Sequence, residues 1–524
     1  MDGSADHRNE RMTLARLGFV RRLPPPVLAV VLAFAALAVP LVASVSASAQ
    51  TPAGVAAPAP ERPNVLLIVT DDQRWDTLDA MPVVQQELMS RGVTFSHAFV
   101  SNPLCCPSRA SILTGNYSHT TSVYRQTTPY GAFPSFHDAS TLATWMHDAG
   151  YRTGLFGKYI DAYQSDALRG YVPPGWDRWV AFVHSGYYTY GLTVDGEPEF
   201  HGEDPSTDYS TTVLGDAAER FILSAPEDQP VFTEFAPAAP HDPATPEPTF
   251  DGSFRDIAKW RPPAYDEADV SDKPAYMQAL PRLSREWMAW IDGLRRRQYE
   301  TLQSVDVQIG RLLDALEETG RLQNTLIIFT SDNGLLWGEH RWMKKEVPYD
   351  EALRVPMVVR YDPMAIEPRT DDHLIVNVDI APTIASIASV PHPTTEGMSM
   401  EPLLANPDAP WRKDFLMEHM EGSNPVPSYC GVRTETQKYV RYATGERELY
   451  DLAEDPDEMV NLVDDPARSS DVSALETRLD DLCDPPPPGM DEQGGTPAAV
   501  ALVGVAGASG GAAYVSRRRR RITR

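Results

Sequence analysis

Cys105, Pro107, Ser108 and Arg109 fall in the run Cys105-Cys106-Pro107-Ser108-Arg109-Ala110-Ser111-Ile112-Leu113-Thr114-Gly115. The run combines a potential nucleophile, a helix-starting proline and a cation of the kind found buried. Pro107 has no N–H to leave unpaired in a first helical turn, and Ala110 to Leu113 continue in helical residues. Cys105 is expected just before a helix N-terminus, where free N–H groups and the helix dipole favour developing negative charge. Arg109, one turn further on, faces the same side and could hold an oxyanion. Two adjacent cysteines also suit a pair of small buried residues or one half of a disulfide. Neither belongs to a CxxC pair or a Cys/His cluster, which disfavours zinc.

A second group lies upstream. The apolar run Asn64 to Thr70 has the pattern of a buried parallel strand, and Asp71-Asp72 end it. Ligands of open α/β sheets bind beyond the carboxyl ends of strands, so two carboxylates there could face a hard cation, although the pair also suits a turn or a helix cap.

These stretches together resemble the type I sulfatase family, whose signature is Cys-x-Pro-Ser-Arg followed by Ala and a Thr-Gly end. Cys105, Pro107, Ser108, Arg109, Thr114 and Gly115 carry the match, and Pro63-Asn64-Val65-Leu66-Leu67-Ile68-Val69-Thr70-Asp71-Asp72-Gln73 is similar to the family's opening strand. The resemblance implies that a formylglycine-generating enzyme oxidises Cys105, not Cys106, to 3-oxoalanine (formylglycine). It implies a calcium site made by Asp71, Asp72, Asp332, Asn333 and residue 105, and an all-oxygen set of this kind favours Ca2+, with Mg2+ as the alternative. Lys158, after Gly157, and Lys345, after Gly338-Glu339-His340, are similar to the family's sulfate-binding lysines. His241 in Pro240-His241 matches the imidazole that contacts the sulfate or the leaving oxygen. The implied fold is α/β, an alkaline phosphatase-like sandwich with a large, mostly parallel mixed sheet flanked by helices, plus a smaller C-terminal domain with a short antiparallel sheet.

The sequence departs from one common pattern. Many sulfatases have histidine two residues after the first lysine, whereas this chain has Ile160. The Gly-Lys-Tyr-aliphatic form, with Pro173-Pro174-Gly175-Trp176, is closer to the N-acetylglucosamine-6-sulfatase and arylsulfatase branch, as is the loop from Arg261 to Pro274, expected to face substrate. The resemblance implies hydrolysis of a sulfate ester of a sugar or aryl alcohol. Two alternatives stay open: a phosphodiesterase or phosphonate monoester hydrolase with the same nucleophile, and a non-catalytic anchored binder of sulfated glycans.

The elements that must position these residues follow from pattern. Helices are expected at Ala80 to Ser90, from a Ser140 cap to His147, and from about Leu294 to Gly320, where Tyr299, Leu302, Val305, Ile309, Leu312 and Leu313 recur at helical spacing. Strands are expected at Tyr151 to Gly157, Pro230 to Ala236, Asn324 to Thr330 and Val355 to Arg360. Val376 to Ile387 is similar to the family's Asn-x-Asp-x-Ala-Pro-Thr helix. Beyond Trp411, short strands at 414–418, 429–434, 438–442 and 448–450 lead to a closing helix near 473–482.

Length and charge bound the rest. The 524 residues allow a large domain and a small one, and a net charge of −27 argues against nucleic acid as a partner. Residues 1–49 read as a secretory signal with a basic start, an apolar core and Ala47-Ser48-Ala49, and Arg21-Arg22 fits a plain basic region better than twin-arginine export. A leader (50–61) precedes the catalytic domain (62–410), the small subdomain (411–483), a Pro/Gly linker (484–497), an apolar segment (498–516) and a basic tail (517–524). The apolar segment suits a membrane anchor, a sorting signal or a disordered Ala/Gly tail. The protein is thus expected to be secreted or held at the cell envelope. With Cys105 modified, Cys430 and Cys483 can pair or remain buried thiols.

Overall fold

The computed structural model describes residues 62–422 and 424–490. A ten-stranded sheet runs in the spatial order 369–371, 93–95, 357–360, 325–331, 64–70, 231–236, 152–157, 178–184, 191–194, 197–200. Its five central strands, from 325–331 to 178–184, are mutually parallel. The runs Asn64–Thr70 and Thr325–Ser331 are buried along their whole length, as expected of strands covered on both faces. Strand 357–360 is antiparallel to both of its neighbours, and the far edge is a hairpin, which makes the sheet mixed.

Side chains of alternate strand residues separate into two cores. Val65, Leu67, Val69, Leu326 and Ile328 pack on one face, with the helices Leu142–Asp148 and Ile380–Ile387. Leu66, Ile68, Ile327 and Phe329 pack on the other, with the helices Ser210–Leu223 and Arg285–Glu318. This is the sandwich expected of period-two alternation in a central strand.

Several local expectations need correction. Ala80 to Ser90 is not one helix but three short helical turns, Trp75–Ala80, Val84–Leu88 and Met89–Arg91. Pro82 interrupts the pattern, and Asp306 accepts from the backbone N–H groups of Val83 (2.9 Å) and Val84 (3.0 Å). Ser140 is not the cap of the following helix. Thr141 takes that place, while the Ser140 hydroxyl accepts from Trp145 Nε1 at 3.0 Å. The long helix starts at Arg285, not near Leu294, because Ser284 caps it by accepting from the Trp287 N–H. The strands 178–184, 191–194 and 197–200 and the helix Ser210–Leu223 were not anticipated.

The C-terminal part is a four-stranded antiparallel sheet, Asp414–His419, Tyr429–Thr434, Gln437–Tyr442 and Arg447–Asp451, covered by the helix Ser469–Leu482. Phe415, Met417, Tyr429 and Tyr442 join the same apolar core as the large sheet. Cys430 and Cys483 form a disulfide closing a loop across 53 positions, worth roughly 4 kcal/mol by loop-closure entropy. Among the described residues no helix is long and apolar enough to cross a membrane. The signal at 1–49 and the segment at 498–516 lie outside the described residues.

Candidate active site

Strand register assembles the acidic group. Thr70 pairs with Ser331 across two parallel strands, so Asp71-Asp72 and Asp332-Asn333 leave the sheet side by side at its carboxyl edge. The Asp332 N–H donates to Thr70 O at 3.0 Å, and the Asp72 N–H donates to Asp332 Oδ1 at 3.1 Å. Asn333 Nδ2 donates to Asp72 Oδ1 at 2.7 Å. The Asn333-Gly334 pair is not the reversed turn that such a dipeptide often marks. A Cβ on Gly334 would lie 2.2 Å from Glu351 O, so glycine permits a close approach of two backbones.

Two neighbouring strand ends bring the basic groups. Gly157 pairs with Ala236 at φ +132°, where a Cβ would overlap Ala236 O at 1.9 Å, and Lys158 follows immediately. Lys158 Nζ donates to Asp71 Oδ2 at 2.6 Å. His241 stands beyond strand 231–236, its Nε2 3.6 Å from Asp72 Oδ2 and its Nδ1 2.6 Å from Asp242 O. Lys345 Nζ contacts Asp72 Oδ1 and lies 2.8 Å from Cys105 Sγ.

The helix Cys105–Thr114 supplies the nucleophile position. It begins at Cys105 itself, with Leu104 extended before it, so the cysteine lies within the first turn and not ahead of it. Asn377 anchors this helix by donating to Ser108 Oγ at 2.9 Å and accepting from the Ser101 N–H at 3.1 Å. Cys105 Sγ is 3.5 Å from Asp71 Oδ1. Arg109 Nε donates to Asp332 Oδ2 at 2.8 Å and Nη1 to Lys158 O at 3.0 Å, while its buried Nη2 has no partner among the described residues.

Every residue singled out from the sequence for this site converges here: Asp71, Asp72, Cys105, Arg109, Lys158, His241, Asp332, Asn333 and Lys345. Ligand atoms of Asp71, Asp72, Cys105 and Asp332 lie within 4.8 Å of one another, all buried. Three carboxylates with an amide beside them form a hard oxygen set that fits Ca2+ or Mg2+. The lysines already compensate them. Asp71 and Asp72 titrate below the ordinary carboxylate range although burial opposes it, because Lys158 acts on Asp71 and Lys345 on Asp72. Burial, followed by the charge of Asp332, pushes the Cys105 thiol well up, so an unmodified Cys105 is a neutral thiol and a poor nucleophile.

Ile160 occupies an apolar cluster with Cys106, Tyr159 and Trp179. The imidazole absent from that position is therefore replaced by packing, not by another polar side chain of the same segment. The loop from Arg261 to Pro274 does not line the cavity described below. Arg261 makes a two-point ion pair with Asp292 (2.8 and 2.9 Å), and Asp266 accepts from the Leu283 N–H at 2.7 Å, so the loop braces the start of the long helix.

Sequence reasoning missed three residues. Gln126 Oε1 accepts the Cys106 N–H at 3.0 Å and reaches the cavity, but it lies in a segment without periodicity. Trp290 lines the cavity from the unanticipated first turns of the long helix; Trp287, Ile291 and Leu294 at helical spacing were the available signal. Glu234 is buried in the middle of strand 231–236, paired laterally with Leu67 and Leu155, where its pattern reads as one polar residue in an apolar run. Its Oε2 has no partner among the described residues.

Burial raises Glu234 from the ordinary 4.5 to about 7, against the opposing charge of Arg109. A carboxyl whose folded pKa is raised binds its proton more tightly when folded, so this contribution is fully present below pH 4.5 and is lost as pH rises through about 7. Glu234→Gln is expected to be nearly neutral at pH 4 and to stabilise the protein at pH 8 by roughly 3 kcal/mol. Denaturant melts at the two pH values measure it, and an equal effect at both would contradict the burial argument.

Above the cluster lies a cavity of about 280 Å³ bounded by Asp72, His241, Lys345, Gln126, Trp290 and Asn424, among others. Its polar floor and its mixed walls suit an anionic group carried on a larger body.

Comparison with known proteins agrees with this arrangement. Residues 63–390 match the family described as Sulfatase, and residues 338–484 match the family described as N-sulphoglucosamine sulphohydrolase, C-terminal. The chain is 33% identical over 371 residues to the extracellular sulfatase SULF-1 homolog of Drosophila melanogaster, covering 68% of this chain but only 33% of that protein's length. It is 34% identical over 393 residues to human N-acetylglucosamine-6-sulfatase, covering 72% of this chain and 71% of the human one. Among solved structures, that of BT4656 in complex with its substrate D-glucosamine-2-N,6-O-disulfate superposes with a TM-score of 0.72 at 24% identity, over 83% of this chain and 99% of that one. The chain belongs to the sulfatase family.

Proposed function

We propose that the protein is an exported sulfatase that hydrolyses a sulfate ester, best suited to a sulfated sugar, to the alcohol and inorganic sulfate. The observation that carries this reading is the placement of Cys105 Sγ against Asp71 and Lys345, beneath a cavity that also presents His241. In this reading a formylglycine-generating enzyme oxidises Cys105 to formylglycine, which would supply an oxygen nucleophile in place of the thiol. Asp71, Asp72, Asp332 and Asn333 would hold the calcium ion, which would supply Lewis-acid activation of the nucleophile at residue 105.

This chain's own residues do the rest. Arg109 and the two lysines place positive charge where the sulfonate oxygens gather charge in an in-line displacement. Arg109 Nη2 is buried without a partner among the described residues, a donor that a bound sulfate oxygen would satisfy. His241 donates Nδ1–H to Asp242 O, which leaves Nε2 to carry the proton handed to the departing alcohol oxygen. Asp72 Oδ2 lies 3.6 Å from that nitrogen.

Export is supported by the secretory pattern of residues 1–49 and by the name of the Drosophila relative. The apolar segment 498–516 would serve as an anchor or a sorting tail.

The test is kcat/KM on para-nitrophenyl sulfate, phosphate and phosphonate esters beside N-acetylglucosamine 6-sulfate, with enzyme matured in its own host. Sulfate esters are expected to be turned over fastest. A phosphate or phosphonate ester exceeding them would replace this reading with the phosphohydrolase one, and binding of sulfated sugar without turnover would favour the binder.

A further inference from the structure

The first turns of the helix Arg285–Glu318 carry an exposed tryptophan and a half-buried one. Trp287 is 38% exposed, and its ring lies 5.7 Å from that of Trp290 at 85°, edge against face. Trp290 borders the same cavity as Asp72, His241 and Lys345. These turns are fixed in place by the Ser284 cap, the Arg261–Asp292 ion pair and the hydrogen bond from Leu283 to Asp266. Large aromatic surface left partly open to water, yet held rigidly beside a polar floor, is the arrangement of a ligand platform.

The other walls narrow the ligand class. Leu104 and Leu294 add apolar surface. Gln126 uses Oε1 on the Cys106 N–H, which leaves its amide hydrogens, and Asn424 uses Nδ2 on Glu346, which leaves its Oδ1. One aromatic face with a separate donor and acceptor matches a pyranose, whose C–H face is apolar and whose rim carries hydroxyl or acylamino groups. A cavity of about 280 Å³ also exceeds what a sulfate group alone would fill.

We propose that Trp290, braced by Trp287, stacks on the ring of the sugar that bears the sulfate and so selects pyranoside esters. This rests on the sulfatase reading of the same cavity. Trp290 acts on substrate binding and takes no part in the bond-breaking step.

The experiment compares matured wild-type enzyme with Trp290→Ala and Trp290→Phe. It measures kcat and KM for N-acetylglucosamine 6-sulfate and Ki for inorganic sulfate, which probes the polar floor without a sugar. Trp290→Ala is expected to raise KM roughly tenfold, the scale of one lost aromatic contact. The sulfate Ki should stay within about twofold, and Trp290→Phe should recover most of the loss. An unchanged KM in Trp290→Ala overturns the proposal, as does a parallel loss in KM and sulfate Ki in both variants, which would mean the side chain only supports the fold. Wild-type enzyme that binds sulfate yet turns over no sulfate ester overturns the sulfatase reading, and this inference with it.

Discussion

Cys105→Ala is expected to lower sulfate-ester turnover by on the order of 10⁶-fold, the scale seen when a nucleophile is removed from a preorganised site. The fold should survive, because Cys105 makes one weak contact to Asp71 and one to Lys345 and fills a small volume in the first turn of its helix. Chain in which Cys105 remains a thiol should be as inactive as the alanine variant. Burial and the Asp332 charge keep that thiol protonated, and a cysteine S-sulfate, if it formed, would have no internal route to breakdown. Mass spectrometry of the tryptic peptide spanning Cys105, run beside the activity assay on the same preparations, checks the claim. Activity that fails to track the aldehyde fraction would remove residue 105 from the chemistry.

Asp332→Ala is expected to destabilise the protein by roughly 3–5 kcal/mol, the cost of breaking a buried ion pair from one side. Asp332 is fully buried, accepts from Arg109 Nε and from the Asp72 N–H, and its loss strands a guanidinium of which one nitrogen already has no partner among the described residues. Asp332→Asn keeps the shape and separates stability from metal binding. In wild type, calcium at a hundred times its Kd should raise stability by about 2.7 kcal/mol, and in Asp332→Asn that gain should be largely lost. Thermal melts with and without calcium read both effects. An undiminished calcium shift in Asp332→Asn would move the cation elsewhere.

Much of this site was legible because its residues sit at the ends of strongly patterned segments. Asp71-Asp72 and Asp332-Asn333 each follow a continuous apolar run, and the Cys-x-Pro-Ser-Arg stretch has too specific a combination of residues to pass for a buried cysteine pair. The long helix was visible in its core-facing positions from Leu294 on but not at its start, where Trp287 is exposed, Trp290 borders the cavity and Ile291 is the first fully buried apolar residue. Ala80 to Ser90 misled for the opposite reason: the apolar spacing was helical, yet Pro82 and the distant Asp306 divided it.

The sequence by itself determined the strands 64–70, 152–157, 231–236, 325–331 and 357–360, the chemical type of each site residue and the family signature, because these depend on local spacing and side-chain chemistry. Only the tertiary structure decided which groups meet. The register of Thr70 against Ser331 joins carboxylates more than two hundred residues apart, and the pairing of Gly157 with Ala236 sets Lys158 beside Asp71. It also decided that Glu234 would be buried without a full set of partners, and that Ile160 would turn into an apolar cluster instead of the site. Register, burial and the entry angle of a helix are settled by packing between segments distant in the chain, and no local pattern encodes them.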